Sequence, residues 1–154
     1  MKLERALAVA MLAIFATALT LPSSAADESF DVRLSPAPRD ASMRTSIAGH
    51  GSVSVTLRGN RLTLSGTFEG FTSPATHAEL HRGPAVAMRG PAIHELTVST
   101  GTSGTLSGSF TLSADELAAL NAAQLYLQVA SESAPDGNIW GWLLPAAAPI
   151  VRDR

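Results

Sequence analysis

Residues 52–68 alternate between apolar and polar side chains with a period of two. A strand points successive side chains to opposite faces, so this pattern indicates extended chain with one buried face. The Gly59-Asn60 pair interrupts the pattern with a plausible two-residue turn. The sequence therefore predicts a β-hairpin of strands 52–58 and 61–68. Its buried face comprises Val53, Val55, Leu57, Leu62, Leu64 and Phe68.

Turn signals at intervals of about 8–12 residues divide the rest of the chain into short strands. A weaker strand is predicted around Val32, and one short helix over 113–121, where Ser113 and Glu116 have the spacing of a capping box. This organisation predicts an all-β fold, an antiparallel β-sandwich with one short helix. The remaining predicted strands are 76–82, 93–100, 105–112, 125–129 and 138–144.

The first 26 residues have the three parts of a secretory signal peptide. Lys2 and Arg5 supply positive charge, residues 6–21 are uncharged and apolar, and small residues follow up to Ala26. The alternative, a retained membrane anchor, is less favoured because the apolar run is shorter than the roughly 20 residues that span a bilayer. We predict cleavage after Ala26, with Ala25 as the alternative, and a periplasmic or secreted product. The absence of cysteine excludes a lipid-modified lipoprotein.

Charge and cysteine content restrict what the mature chain can bind and how it is stabilised. The chain has 11 basic and 13 acidic residues, and without residues 1–26 it keeps 9 basic and 12 acidic ones, a net charge near −3. This balance argues against nucleic acid as a partner. An exported chain without cysteine gains no stability from disulfides, so it requires a real hydrophobic core. We assign Leu64, Phe68, Phe110 and Leu127 to that core.

Several segments, in their order and spacing, resemble the chordin-type repeat, the CHRD domain. The resemblance runs from about residue 49 to 145 and divides the chain into a signal peptide (1–26), a leading segment (27–50), a CHRD domain (51–145) and a C-terminal tail (146–154). The segments are GSVSVTL at 51–57, LTLSGTF at 62–68, SPAT at 73–76, HRG at 81–83, GTLSG at 104–108, LY at 125–126 and GWL at 141–143.

The resemblance implies a sandwich related to immunoglobulin-like and superoxide dismutase-like folds, and a binding module more than an enzyme. Chordin is an extracellular protein of animals that sequesters growth factors, and bacterial copies of the domain are exported and mostly of unknown role. Many family members carry a His-x-His pair that falls here on Glu79 and His81, and a further histidine that falls on Ala130. Of these positions, His81 alone matches.

His77, Glu79 and His81 project from one face if residues 76–82 form a strand. Two imidazoles and a carboxylate suit zinc or copper(II), so these three residues are the candidate metal ligands. The competing interpretation, which we favour, is a solvated polar face. A fourth ligand is missing, and three positions in one row do not converge easily on one ion. His50 is expected to be solvated, and His94 to pair at the surface with Glu95.

No arrangement in the sequence indicates nucleophilic catalysis. Cysteine is absent, no Gly-x-Ser-x-Gly elbow occurs, and the many serines and threonines alternate with apolar residues as solvent-facing strand positions do. We predict no catalytic residues and no enzymatic activity. Trp140 and Trp142 share one face of the last strand, where they either pack against a loop or the tail or, for Trp140, form a binding surface.

Two hypotheses of function follow. The favoured one is an exported, non-enzymatic binding or structural module without a cofactor, whose partner is an unidentified protein or other extracellular ligand. In this hypothesis the processed chain contacts neither nucleic acid nor membrane. The alternative is a superoxide dismutase-like protein that binds copper or zinc through His77, Glu79 and His81.

Overall fold

The computed structural model describes residues 27–36 and 40–145. The predicted signal peptide and the C-terminal tail lie outside these residues. The described chain forms eight strands, a short 3₁₀ helix at Ala41–Thr45 and one α-helix, α1, at Ala114–Asn121. The strands are β1 (Glu28–Pro36), β2 (His50–Arg58), β3 (Arg61–Glu69), β4 (Ala75–Arg82), β5 (Ala92–Val98), β6 (Gly104–Thr111), β7 (Leu125–Ser131) and β8 (Ala134–Trp142). No helix in the described ranges is long and apolar enough to cross a membrane.

The strands close into an antiparallel barrel in the order β1-β2-β3-β6-β5-β4-β7-β8. The predicted immunoglobulin-like or superoxide dismutase-like β-sandwich is therefore wrong, although the all-β class and the single short helix are confirmed. Two short ladders close the barrel. One joins β1 to β8 at Ser35–Trp140 and Pro36–Ile139, and the other joins β5 to β6 at Thr97–Ser107 and Val98–Leu106. A sandwich and a barrel both bury one face of each strand, so alternation alone does not distinguish them.

Strand β1 comes from the predicted leading segment and is a full member of the barrel. It pairs with β2 over seven residues, from Glu28–Leu57 to Leu34–Gly51. Val32 and Leu34 are buried in the core. The strand ends at Pro36, where a proline has no N–H to continue the ladder.

The predicted hairpin is confirmed. Strands β2 and β3 pair from His50–Glu69 to Arg58–Arg61, which leaves Gly59 and Asn60 as the two-residue turn. Gly66 occupies an inward position opposite Val53. A Cβ at Gly66 would lie 2.7 Å from the Val53 Cα, so no larger residue fits between these strands. Leu64, Phe68 and Leu127 are buried in the barrel core as predicted, whereas Phe110 is only partly buried.

Helix α1 begins with the predicted capping box and is tied to the barrel by Glu116. Ser113 N–H donates to Glu116 Oε2 at 2.7 Å, and Glu116 Oε1 lies 2.9 Å from His94 Nε2. The prediction that His94 pairs with Glu95 is therefore wrong. The pKa of Glu116 is lowered, chiefly because the Ser113 backbone N–H donates to its carboxylate. This contact stabilises the fold above the ordinary carboxyl pKa and is lost as the pH falls through the lowered pKa.

The two phenylalanines assigned to the core are predicted to contribute differently to the free energy of unfolding. Phe68 is 2% exposed and Phe110 is partly buried, its ring stacked 4.6 Å from the His94 ring. We expect Phe68→Ala to lower the free energy of unfolding by about 3–5 kcal/mol and Phe110→Ala to lower it by less. Urea denaturation of both variants measures this difference. An equal or larger loss for Phe110→Ala would contradict the assignment of Phe68 to the barrel interior.

Candidate functional site

Polar and aromatic side chains occupy the outer face of three neighbouring strands, β4, β7 and β8. Cross-strand partners in an antiparallel sheet project to the same face, so the register aligns these side chains in two rows. The intervening residues Leu80, Leu127 and Ile139 face the core. The first row is Glu79, Gln128 and Trp140, and the second row is His81, Tyr126 and Trp142.

Four of these side chains form an outer aromatic cluster, defined as His81, Tyr126, Trp140 and Trp142. The His81 ring stacks on Tyr126 with centroids 4.8 Å apart and planes at 17°. Tyr126 also contacts both indoles, Trp142 at 4.8 Å and Trp140 at 5.7 Å. Tyr126 is 1% exposed and His81 8%, whereas both tryptophans are half-buried. The cluster is therefore packed at its centre and open along Trp140 and Trp142.

The loop between β4 and β5, residues 83–91, covers part of this face and is fixed through Gly90. The Gly90 N–H donates to the Tyr126 hydroxyl at 3.1 Å, and the Gly90 carbonyl accepts from that hydroxyl at 3.1 Å and from His81 Nδ1 at 3.0 Å. A carbonyl only accepts, so Nδ1 of His81 carries a proton. The other ring nitrogen, Nε2, is buried and has no hydrogen-bond partner.

The same loop places Arg89 on Trp140. The guanidinium carbon lies 4.5 Å from the centroid of the Trp140 ring, a cation–π distance, and Nη1 donates to Gln128 Oε1 at 2.9 Å. Trp140 therefore packs against a loop on one side and is half-buried. The loop contact agrees with the first alternative for this residue, and its role in binding stays a prediction.

The structure brings together the three candidate metal ligands. Glu79 Oε2 lies 3.3 Å from His81 Nε2 and 3.8 Å from His77 Nε2. Within the described ranges, however, no group of three or more histidine, cysteine, aspartate or glutamate side chains is arranged to hold a metal ion. His50 on β2 pairs with Glu69, and His94 faces Glu116, so neither adds a ligand to this row.

A cavity of about 270 Å³ opens between β4 and β8 beside the cluster. A second depression of about 370 Å³, the seam groove, lies where β8 meets β1 and shares Trp140 and Trp142 with the cluster. The cavity is lined by His77, Glu79, His81, Arg89, Gly90, Tyr126, Gln128, Pro135 and Asp136. The seam groove is lined by Asp31, Val32, Arg33, Ser35, Trp140, Gly141, Trp142 and Leu144.

Sequence reasoning did not find Arg89, Tyr126, Gln128 or Asp136. The sequence could have indicated Tyr126 and Gln128, because residues 125–129 alternate between apolar and polar or aromatic side chains. This alternation places Tyr126 and Gln128 on one face of a strand. Arg89 and Asp136 lie in non-periodic segments, and their place beside β4 depends on strand order, which the local pattern does not contain.

The fold and this outer face define a small antiparallel β-barrel domain. Its residues 30–143 match the CHRD domain family, and the chain belongs to that family. The match begins inside β1 and ends just after β8, so it covers the barrel except for the first two residues of β1. It therefore includes most of the strand that precedes the predicted domain start at residue 51. No curated protein and no solved structure matches the chain.

The Tyr126 hydroxyl is predicted to hold the loop over the cavity. Tyr126→Phe removes the acceptor of the partly buried Gly90 N–H, which should lower the free energy of unfolding by about 1–3 kcal/mol. Amide hydrogen exchange should become faster in residues 83–91 than in the barrel strands. As a control, Thr63→Ala removes an exposed hydroxyl on β3 and should change stability by less than about 0.5 kcal/mol. Unchanged exchange in the loop of the Tyr126→Phe variant would contradict this role.

Proposed function

We propose that this CHRD-family protein is an exported, non-enzymatic binding module that acts in the periplasm or outside the cell. In this proposal it contacts an unidentified protein or other extracellular ligand with the outer aromatic cluster and the adjoining cavity. The observation that carries the proposal is the concentration of tryptophan and tyrosine side chains on one outer face of the barrel. Both tryptophans and the single tyrosine of the chain lie on the outer face of β7 and β8.

The opposite side of the barrel has a different surface chemistry. The outward positions of β2, β3 and β6 carry mainly serine and threonine, among them Ser54, Thr63, Ser65 and Ser107. Such hydroxyls suit a solvated sheet face. Half-buried aromatic side chains beside a polar cavity are typical of ligand and partner surfaces. The contrast between the two sides supports a binding role for the cluster.

The contacts around His77 do not assemble an activated hydroxyl. An activated hydroxyl needs a base within hydrogen-bond reach, itself oriented by a third group. Thr76 Oγ1 lies 3.1 Å from His77 Nδ1, but His77 Nε2 is 3.8 Å from Glu79 Oε2, beyond hydrogen-bond reach. The net negative charge of the processed chain likewise supports a partner other than nucleic acid.

Photo-crosslinking tests the binding surface and does not require the ligand to be identified first. A photoreactive phenylalanine analogue replaces Trp142 in the exported protein, and a matched control carries it at Thr63 on β3, across the barrel from β7. We expect irradiation in the native environment to give a discrete adduct from position 142 and none from position 63. Adducts from position 63 alone, or from neither position, would contradict the proposed surface.

A specific observation favours a second candidate function, the binding of zinc or copper. His81 Nε2 is buried without a hydrogen-bond partner and faces Glu79, and its Nδ1–H donates to a backbone carbonyl, as metal-bound imidazoles commonly do. Against it, the three ligands come from one strand, and Glu79 and Ala130 occupy positions where many family members have histidine.

Calorimetric titration with zinc and with copper(II) separates the two candidates. The comparison belongs above the ordinary histidine pKa of about 6.5, because ligation needs neutral imidazole. We expect no binding tighter than that of surface histidines, and the same effect of metal on the melting temperature in wild type, in His77→Ala and in the His77→Ala, His81→Ala double variant. His50→Ala is the control for an exposed histidine. A stoichiometric sub-micromolar site that the double change abolishes, and His50→Ala retains, would promote the metal hypothesis.

A further inference from the structure

The polar groups that line the cavity both donate and accept hydrogen bonds. Seven of its nine lining residues carry polar side chains. Glu79 and Asp136 offer carboxylate oxygens, whereas Arg89 and the amide nitrogen of Gln128 donate. A hydroxyl donates and accepts at once, so a ligand with several hydroxyls can satisfy both kinds of group from one position.

The charges around the cavity disfavour an ionic ligand. Two carboxylates, one guanidinium and the imidazoles of His77 and His81 surround the same space. An anion would meet the carboxylates of Glu79 and Asp136, and a cation would meet the guanidinium of Arg89. Like charges placed together in a partly desolvated site disfavour binding, so a neutral polar ligand meets the least opposition.

The size of the cavity limits what enters it. Its volume of about 270 Å³ lies just below the range of pockets that take drug-sized ligands. A single ring with its substituents is therefore a better fit than a folded peptide segment. The loop holds one wall of this space in place through Gly90.

Trp140 forms a ridge between the cavity and the seam groove. Two residues that line the cavity are neighbours of Trp140: Gln128 is its cross-strand partner, and the Arg89 guanidinium lies over its ring. The same indole lines the seam groove beside Trp142. The two spaces are therefore neighbours across one half-buried aromatic side chain. A ligand longer than one ring has to pass over this indole, which favours a ligand with an apolar face next to its polar groups.

We infer that the ligand of this surface is a neutral saccharide, bound with one sugar ring in the cavity and the adjoining ring across Trp140 towards the seam groove. Sugar rings combine hydroxyls at their edge with a C–H face that packs on aromatic rings. The hydroxyls match the polar cavity, and the C–H face matches the tryptophans beside it. The inference rests on the proposed binding function and names the class of ligand. The contacting residues are Glu79, Asp136, Arg89, Gln128, Trp140 and Trp142.

The test uses the exported, processed protein and a panel of soluble hexasaccharides at millimolar concentration. The neutral probes are cellohexaose, chitohexaose, maltohexaose, laminarihexaose and xylohexaose, and the charged comparators are hexagalacturonate and fully deacetylated chitohexaose. Calorimetry and tryptophan emission report binding. We expect at least one neutral probe to bind and to shift the emission, and both charged comparators to bind more weakly.

Variants connect binding to the site. Trp140→Ala should lower the affinity for the neutral probe at least about tenfold, since it removes the ridge. Glu79→Gln keeps the size of the side chain and should also weaken binding, so the test does not depend on the folding of a single variant. Thr63→Ala, on the far side of the barrel, should bind as wild type does.

Three results would overturn the saccharide assignment: no binding of any neutral probe, tighter binding of a charged comparator, or full affinity in both Trp140→Ala and Glu79→Gln. If one of these is found while position 142 still gives a crosslinked adduct, the binding function stands and the saccharide assignment fails. If position 142 gives no adduct either, both fail.

Discussion

Closure of the barrel is the constraint on which the rest of this structure depends. The chain has no cysteine, so its stability comes from side chains that each strand projects into one shared interior. Two ladders of two residue pairs each, β1–β8 and β5–β6, complete the ring. Open edges at these places would present unpaired backbone groups to other chains. The short ladders therefore pair part of each of these edges, and the seam groove lies along the β1–β8 junction.

Strand β7 links the barrel to its outer surface. All seven of its residues are buried, so it is covered on both faces. Its inner face packs in the barrel core, and its outer face carries Tyr126 and Gln128 beneath the loop that bears Arg89 and Gly90. A buried outer face requires partners for its polar atoms, and the loop supplies them. The packing of the loop on β7 thus creates one wall of the cavity.

Local patterns predicted most strands and the helix, but not the contacts between distant segments. The β2–β3 hairpin and the Ser113–Glu116 capping box depend on neighbours in sequence, and both are confirmed. The sandwich prediction failed because closure pairs β1 with β8, which lie about a hundred residues apart. The predicted partner of His94, Glu95, was wrong for the same reason. The observed partner, Glu116, belongs to helix α1, which follows the next strand. The alternation of residues along strands predicted the faces that carry Trp140 and the His77-Glu79-His81 row. The position of Arg89 could not be predicted, because it lies in a loop without periodicity.

The β4–β5 loop is anchored to the barrel at both ends. Gly83 N–H donates to the Gln124 carbonyl at one end, and Gly90 is held by Tyr126 and His81 at the other. Between them, Val86 and Met88 are exposed, and Ala87 adopts a positive φ of 63°. Insertions and replacements at such a tip disturb few packed contacts. This loop is therefore a natural graft position, where a new sequence can be displayed beside the cavity while the barrel keeps its shape.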